Sequence, residues 1–186
     1  MSSAKTSRTK DTKERILAIA GELFARQGYT GTSIADIARE LGTTTAALYY
    51  HFPSKADILT ALLAEPMAAY AQIIESLDSG RPAPQDLLGA FIDLTVDSRG
   101  LATVIDRDPT VLAMIDKHLS RTSKEMTGQV IAALAGPGAD RAAIIRASAA
   151  FGVIKTATTA AMETGDGKLT PADRAEVLNA ALRALG

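Results

Sequence analysis

Apolar residues along this chain recur at intervals of three and four, the period of a helix with one buried face, and the alternation typical of strands is nearly absent. Ile16, Ala20 and Leu23 fall on one face, with Phe24 beside them and Gly28 as a stop. The spacing predicts a first helix from Asp11 or Thr12, because Asp11 and Glu14 stand at capping-box distance. Ile34, Ile37, Ala38 and Leu41 form the next stripe, opened by Ser33 and Asp36 and closed by Gly42. Thr44 opens a short third helix with Leu48 and Phe52 at i, i+4, and Pro53 ends it. Ser54 and Asp57 open a fourth. Pro66 falls inside that fourth helix and cannot donate to the carbonyl of Leu62, so a kink or break is expected near residues 62–66.

The remainder follows the same period. A helix opens at Pro84 and carries Leu87, Leu88, Phe91 and Thr95 until Arg99-Gly100 interrupts it. A short helix is expected at 101–106. Asp108 then caps a long helix with Pro109 in its first turn, and Leu112, Ile115, Leu119, Met126 and Val130 share one stripe up to the turn Gly136-Pro137-Gly138. Another helix runs from Asp140 to Thr164, and the last begins at Thr170-Pro171. The class predicted is all-α, with about nine helices.

Composition narrows the function classes. Of 186 residues, 47% are hydrophobic and 22% charged, enough for a packed core. There is no cysteine, which excludes disulfides, thiolate metal sites and a thiol nucleophile. The only histidines, His51 and His118, stand in no cluster of metal-ligating residues, so neither metal nor cofactor is expected. There is no G-x-S-x-G motif and no dinucleotide fingerprint, so an enzyme is not expected. Gly165 to Thr170 lacks the first glycine of a phosphate loop and reads as a helix connection. The polar N-terminus has no apolar segment of secretory type, and no apolar run reaches the length that spans a bilayer; a cytoplasmic protein without membrane contact is expected. Net charge is −1, yet residues 1–60 hold eight basic against six acidic side chains while the rest is acidic, as expected if one end meets phosphate.

Two short helices joined by Gly42-Thr43-Thr44 are the elements of a helix-turn-helix. With Leu48 and Phe52 facing inward, Thr44, Thr45, Ala46, Tyr49 and Tyr50 are left on or near the outer face, where small side chains allow close approach to base edges and phenols can donate to phosphates.

The run from Thr32 to Leu59, with the block Leu48-Tyr49-Tyr50-His51-Phe52 followed by Ser54-Lys55, resembles the signature of the TetR (tetracycline-repressor-type) family of regulators. The likeness covers residues 10–70. It implies that Tyr49 and Lys55 hold phosphates, that Thr32 and Ser33 meet a phosphate at the start of the second helix, and that Thr43, Thr44, Thr45, Ala46, Tyr50 and His51 form the DNA-facing surface. It also implies three regions: a basic flexible arm at 1–9, a DNA-binding domain at 10–70 with its motif at 33–52, and an effector-binding and dimerisation domain at 71–186. The expected function is repression of transcription, relieved by a small, largely apolar effector. An activator and an architectural DNA-binding protein are the alternatives. The expected partners are double-stranded DNA with a pseudo-palindromic operator, the effector, and a second copy paired through the helices at 140–164 and 171–186. Those helices carry Ala147, Ser148, Ala149, Ala150 and Gly152, and Ala175, Leu178, Leu182 and Leu185. The effector pocket is expected among Met67, Tyr70, Phe91, Thr95, Met114, Phe151, Thr158 and Met162, with Arg99 and His118 to orient a polar end. One departure from the family pattern is Thr43, where a branched apolar residue is usual; its hydroxyl needs a partner.

Overall fold

The computed structural model describes the backbone of residues 2–98, 108–116 and 122–186 and, within these, the side chains of all but residues 2–10 and 109. Among the described residues every regular element is a helix: α1 (Ser2–Gln27), α2 (Ile34–Leu41), α3 (Thr45–His51), α4 (Lys55–Ser79), α5 (Pro84–Asp97), α6 (Pro109–Asp116), α7 (Ser123–Ala135), α8 (Arg141–Thr164) and α9 (Pro171–Leu185). The all-α class is as expected. The short helix expected at 101–106 lies outside the described residues, as do Arg99, His118 and Leu119.

Two apolar cores meet along α4. The first gathers Ile16, Ala20, Leu23 and Phe24 of α1, Ile37 and Ala38 of α2, Leu48 and Phe52 around α3, and Ile58, Leu59 and Leu63 of α4. The second gathers Ile74 of α4, Leu87, Leu88, Phe91 and Ile92 of α5, and the inner faces of α7, α8 and α9. Val111 and Ile115 of α6 belong to the first core, although α6 lies far along the chain.

Three expectations are corrected. Helix α1 starts at Ser2, not near Asp11; residues 2–10 contain neither Gly nor Pro, so nothing stops the helix from propagating backward. Helix α4 passes through Pro66 as one element of 25 residues, so the break expected there is absent. Its first half is anchored by Leu59 and Leu63 and its second by Ile74, so packing on both sides of the proline outweighs one missing hydrogen bond. By length and composition α4 could also cross a membrane, although the sequence pattern showed no such run. The helix expected from Pro109 to residue 135 is two helices. Thr122 adopts an extended conformation (φ −68°, ψ 154°) and forms a capping box with Glu125 that starts α7 afresh. Asp116, at the end of α6, accepts from the Ser123 N–H at 2.8 Å and from its hydroxyl at 2.7 Å, which ties the two helices together.

Candidate nucleic-acid interface and effector cavity

The short helices α2 and α3 are each defined at both ends by local chemistry. Ser33 caps α2: its hydroxyl accepts from the Asp36 N–H, and the Asp36 carboxylate accepts from the Ser33 N–H at 2.9 Å and from the Ser33 hydroxyl at 2.6 Å. The Asp36 carboxyl is held down to about 2, chiefly by these bonds from Ser33 and then by that from Arg39. At the other end Gly42 turns left-handed (φ 72°), which only glycine does without strain, and the Thr43 N–H reaches back to the Ala38 carbonyl at 2.9 Å. Thr44 caps α3 by accepting from the Ala47 N–H. Thr43 is exposed, so water meets the hydroxyl for which the sequence offered no partner.

Leu48 is fully buried and Phe52 nearly so. Helical geometry then turns Thr45, Ala46, Tyr49 and Tyr50 outward, and all four are exposed. Tyr50 is 82% exposed and Tyr49 52%, far beyond what a core aromatic shows. His51 is partly buried, its ring edge-on to Tyr50, and its Nδ1 is buried without a partner.

Two residues expected at this surface are committed elsewhere, and a third is committed in part. Thr32 is buried: its hydroxyl donates to the Gly28 carbonyl at 2.8 Å and accepts from Gln27, and its N–H donates to the Tyr29 carbonyl. Lys55 does not stand free for a phosphate. Its ammonium donates to the carbonyls of Tyr29 (2.8 Å) and Thr32 (2.7 Å) and lies over the Tyr29 ring. Burial lowers its pKa, against the charge of Asp108. Ser33 is exposed, but its hydroxyl is engaged in the capping box.

Asp108 joins the same knot from 78 residues away. One carboxylate oxygen accepts from the Thr30 N–H (3.0 Å) and hydroxyl (2.6 Å), and the other from the N–H and hydroxyl of Thr110 at the start of α6. The sequence announced Asp108 only as a helix cap; a contact with Thr30 leaves no signal in spacing. The four donors, those of Thr110 and Thr30, hold its carboxyl down to about 2.

Further along, a cavity of about 660 Å³ opens between α4, α5, α6, α7 and α8. Met67, Tyr70, Phe91, Thr95 and Phe151, which the sequence singled out, are among the residues that line it. Tyr70, Phe91 and Phe151 stack edge to face, with centroids 5.3 and 4.9 Å apart. Burial pushes the Tyr70 phenol up, against a hydrogen bond with Thr127, so it stays neutral and able to donate. Three expected residues are not on this wall. Met114 packs on the first core, Thr158 is fully buried with its hydroxyl unpartnered, and Met162 is only partly buried elsewhere on α8. Arg99 and His118 lie outside the described residues. The sequence reading missed Ser98, Ser123, Lys124, Thr127 and Lys155, which add a polar fringe; four of these five are small or exposed at helix ends, where the apolar period carries no signal.

Residues 16–62 match the family model described as bacterial regulatory proteins, tetR family. The HTH-type transcriptional regulator TtgR of Pseudomonas putida is 34% identical over 96 residues, 48% of this chain and 46% of that protein. The regulator HbdR of Aromatoleum is 29% identical over 136 residues, 68% of this chain and 59% of that one. Across the curated relatives named here, then, this chain spans about half their length. A TetR-family transcriptional regulator from Bordetella parapertussis has a similar structure, with a TM-score of 0.64, 26% identity, and 94% of this chain and 92% of that chain covered.

The Asp108 knot predicts a pH signature. The native carboxyl is held below its ordinary value, so it stabilises the fold above about pH 4 and that contribution is lost as pH falls toward about 2. Asp108→Asn should cost about 1–2 kcal/mol in urea unfolding at pH 7, because an amide NH₂ then faces two of the four donors. The gap between variant and wild type should narrow between about pH 4 and 2; a gap that does not depend on pH would contradict the assignment. Residues 16–62 thus carry the helix-turn-helix region that the tetR family of bacterial regulatory proteins shares, and nearly the whole chain has a fold similar to that of a TetR-family regulator.

Proposed function

We propose that the protein is a DNA-binding transcriptional regulator, a dimer that represses from a pseudo-palindromic operator and is released by a small, largely apolar effector. The observation that carries the DNA-binding part is the outer face of α3, where Tyr49 and Tyr50 stand exposed above a helix too short to need them in a core. Thr43, Thr44, Thr45 and Ala46 complete the surface that meets the major groove. His51 supports it from the edge. In this reading Lys55 sets the height of the α1–α2 loop and does not touch a phosphate. The domain division follows the cores: residues 10–70 with α6 leaning on them, and 71–186 for effector and dimer. No catalytic role and no cofactor belong to this reading, and its compartment is the cytoplasm.

The effector reading is supported by the cavity, whose aromatic cluster and flexible Met67 suit an apolar body. The dimer reading is supported by α8, whereas Leu178, Leu182 and Leu185 of α9 pack against the chain's own core. Ala147 and Ala150 are buried against the chain's own core, while Ser148, Ala149 and Gly152 are exposed, and Ile144 and Ile145 are 46% and 58% exposed beside them. Such a face of small and branched apolar residues suits a second copy of itself.

Four experiments test these readings. Tyr50→Ala should weaken binding to a selected operator about tenfold or more at unchanged melting temperature. Lys55→Ala should instead lower stability by about 1–3 kcal/mol and leave the slope of log affinity against log salt unchanged. Unchanged affinity in Tyr50→Ala removes α3 from the interface, and a slope reduced by about one in Lys55→Ala returns Lys55 to a phosphate. Light scattering at micromolar concentration should give twice the 19.4 kDa chain mass; a monomer rules the dimer out. Phe151→Trp gives the chain its one tryptophan and narrows the cavity. It should blunt effector-driven release and leave DNA binding intact, whereas full release in the variant would move the effector elsewhere.

A further inference from the structure

We infer that α3 distinguishes base pairs chiefly through thymine methyl groups, read by Thr45 and Ala46, with no bidentate contact to guanine or adenine; this rests on the DNA-binding reading above. The whole of α3, Thr45–His51, contains no Arg, Lys, Asn, Gln, Asp or Glu. At roughly 100° per residue, Thr45, Tyr49, Ala46 and Tyr50 occupy a contiguous arc of about 140°. All four are exposed, and Leu48, buried, lies outside the arc.

The strong, base-specific contacts of a major groove need particular side chains: Arg or Lys for guanine, Asn or Gln for adenine, a carboxylate for cytosine. None stands on this helix. Nor, among the described side chains, do Arg39, Lys55 and Lys13 stand free to substitute for them. Arg39 is paired with Asp36, Lys55 is held between two carbonyls, and Lys13 lies over the Phe52 ring at 5.7 Å.

What the face does offer is the γ-methyl of Thr45, the methyl of Ala46 and the phenols of Tyr49 and Tyr50. Thr44 accepts from the Ala47 N–H through its hydroxyl, which leaves it one donor and therefore no bidentate contact. Small side chains bring the helix axis close to the base edges. There, one base alone presents an apolar group, the C5-methyl of thymine. A face of methyl groups senses that feature and little else, while hydroxyls add single hydrogen bonds that every base pair can accept.

The test begins with selection of duplexes from a random library by the full chain. Each thymine of the selected half-site is then replaced by uracil, which removes only the methyl group, and affinity is read by fluorescence anisotropy. At least one replacement per half-site should weaken binding about three- to fivefold. That loss should fall below about twofold in Thr45→Ser or in Ala46→Gly at the position each contacts. The inference is overturned if no uracil replacement matters, if neither variant shrinks the loss, or if the selected core depends on a guanine whose 7-deaza form binds more than about tenfold worse. Failure to enrich any duplex sinks the DNA-binding reading itself, a result distinct from all of these.

Discussion

A helix of seven residues has almost no stability of its own in water, because nucleation costs more than a few hydrogen bonds return. Everything proposed for α3 therefore depends on Leu48, fully buried among Ile37, Ala38, Phe24 and Ile58 of the first core. Fixing one side chain of so short a helix fixes the whole of it, and the direction of every other side chain follows from the period. The exposure of Tyr49 and Tyr50 is a consequence of that burial. Truncating Leu48 would cost the usual few kcal/mol of a lost core residue, and it would also cost the orientation of α3.

The α1–α2 loop shows the same economy in polar terms. Two backbone carbonyls, Tyr29 and Thr32, point at one ammonium, and the loop between them is held by one carboxylate. Lys55 and Asp108 do not form a direct ion pair here; Lys55 is satisfied by carbonyls of this loop and Asp108 by Thr30 of the loop and Thr110 of α6, and their charges act through the space between. Buried charges arranged in this way avoid the desolvation cost that an isolated one would carry. The arrangement also explains why Lys55 and Thr32 look like DNA contacts in the sequence. They stand close to α3 in the chain, but their polar groups are engaged within the fold.

Much of the fold was legible because helices announce themselves locally. Capping residues at Ser33, Thr44, Ser54 and Thr170, stops at Gly28 and Gly42, and apolar stripes of period 3.6 are all readable within a few residues. The Thr122–Glu125 box was equally local, but a continuous apolar stripe through it suggested one helix. Pro66 misled in the opposite way: its local cost is real, and distant packing outweighs it. The outward face of α3 was readable from Leu48 and Phe52 alone. The commitments of Thr32, Lys55 and Asp108 were not, since their partners come from loops and from far along the chain. The cavity was half legible for a related reason. Large residues such as Phe91 and Phe151 draw attention, whereas Ser98, Thr127 and Lys155 are ordinary until the fold gathers them.

Leu63 and Ile115 connect the two parts of the molecule. Both line the cavity, and both are buried members of the first core that also holds Leu23 and Phe24 of α1. One turn before Ile115 on the same helix, Val111 lies in the same core, and α6 begins at the Asp108 knot on Thr30. An occupant seated against Leu63 or Ile115 would touch side chains that also belong to the core of the helix-turn-helix. Contact alone shifts nothing, however: an effector moves an equilibrium only by the difference in its affinity for the two arrangements. A close-packed core transmits such a difference because it cannot absorb a displaced side chain without moving a neighbour. The cavity wall at Leu63 and Ile115 is one residue thick between ligand space and the core under α1, so a rearrangement there has nowhere else to go.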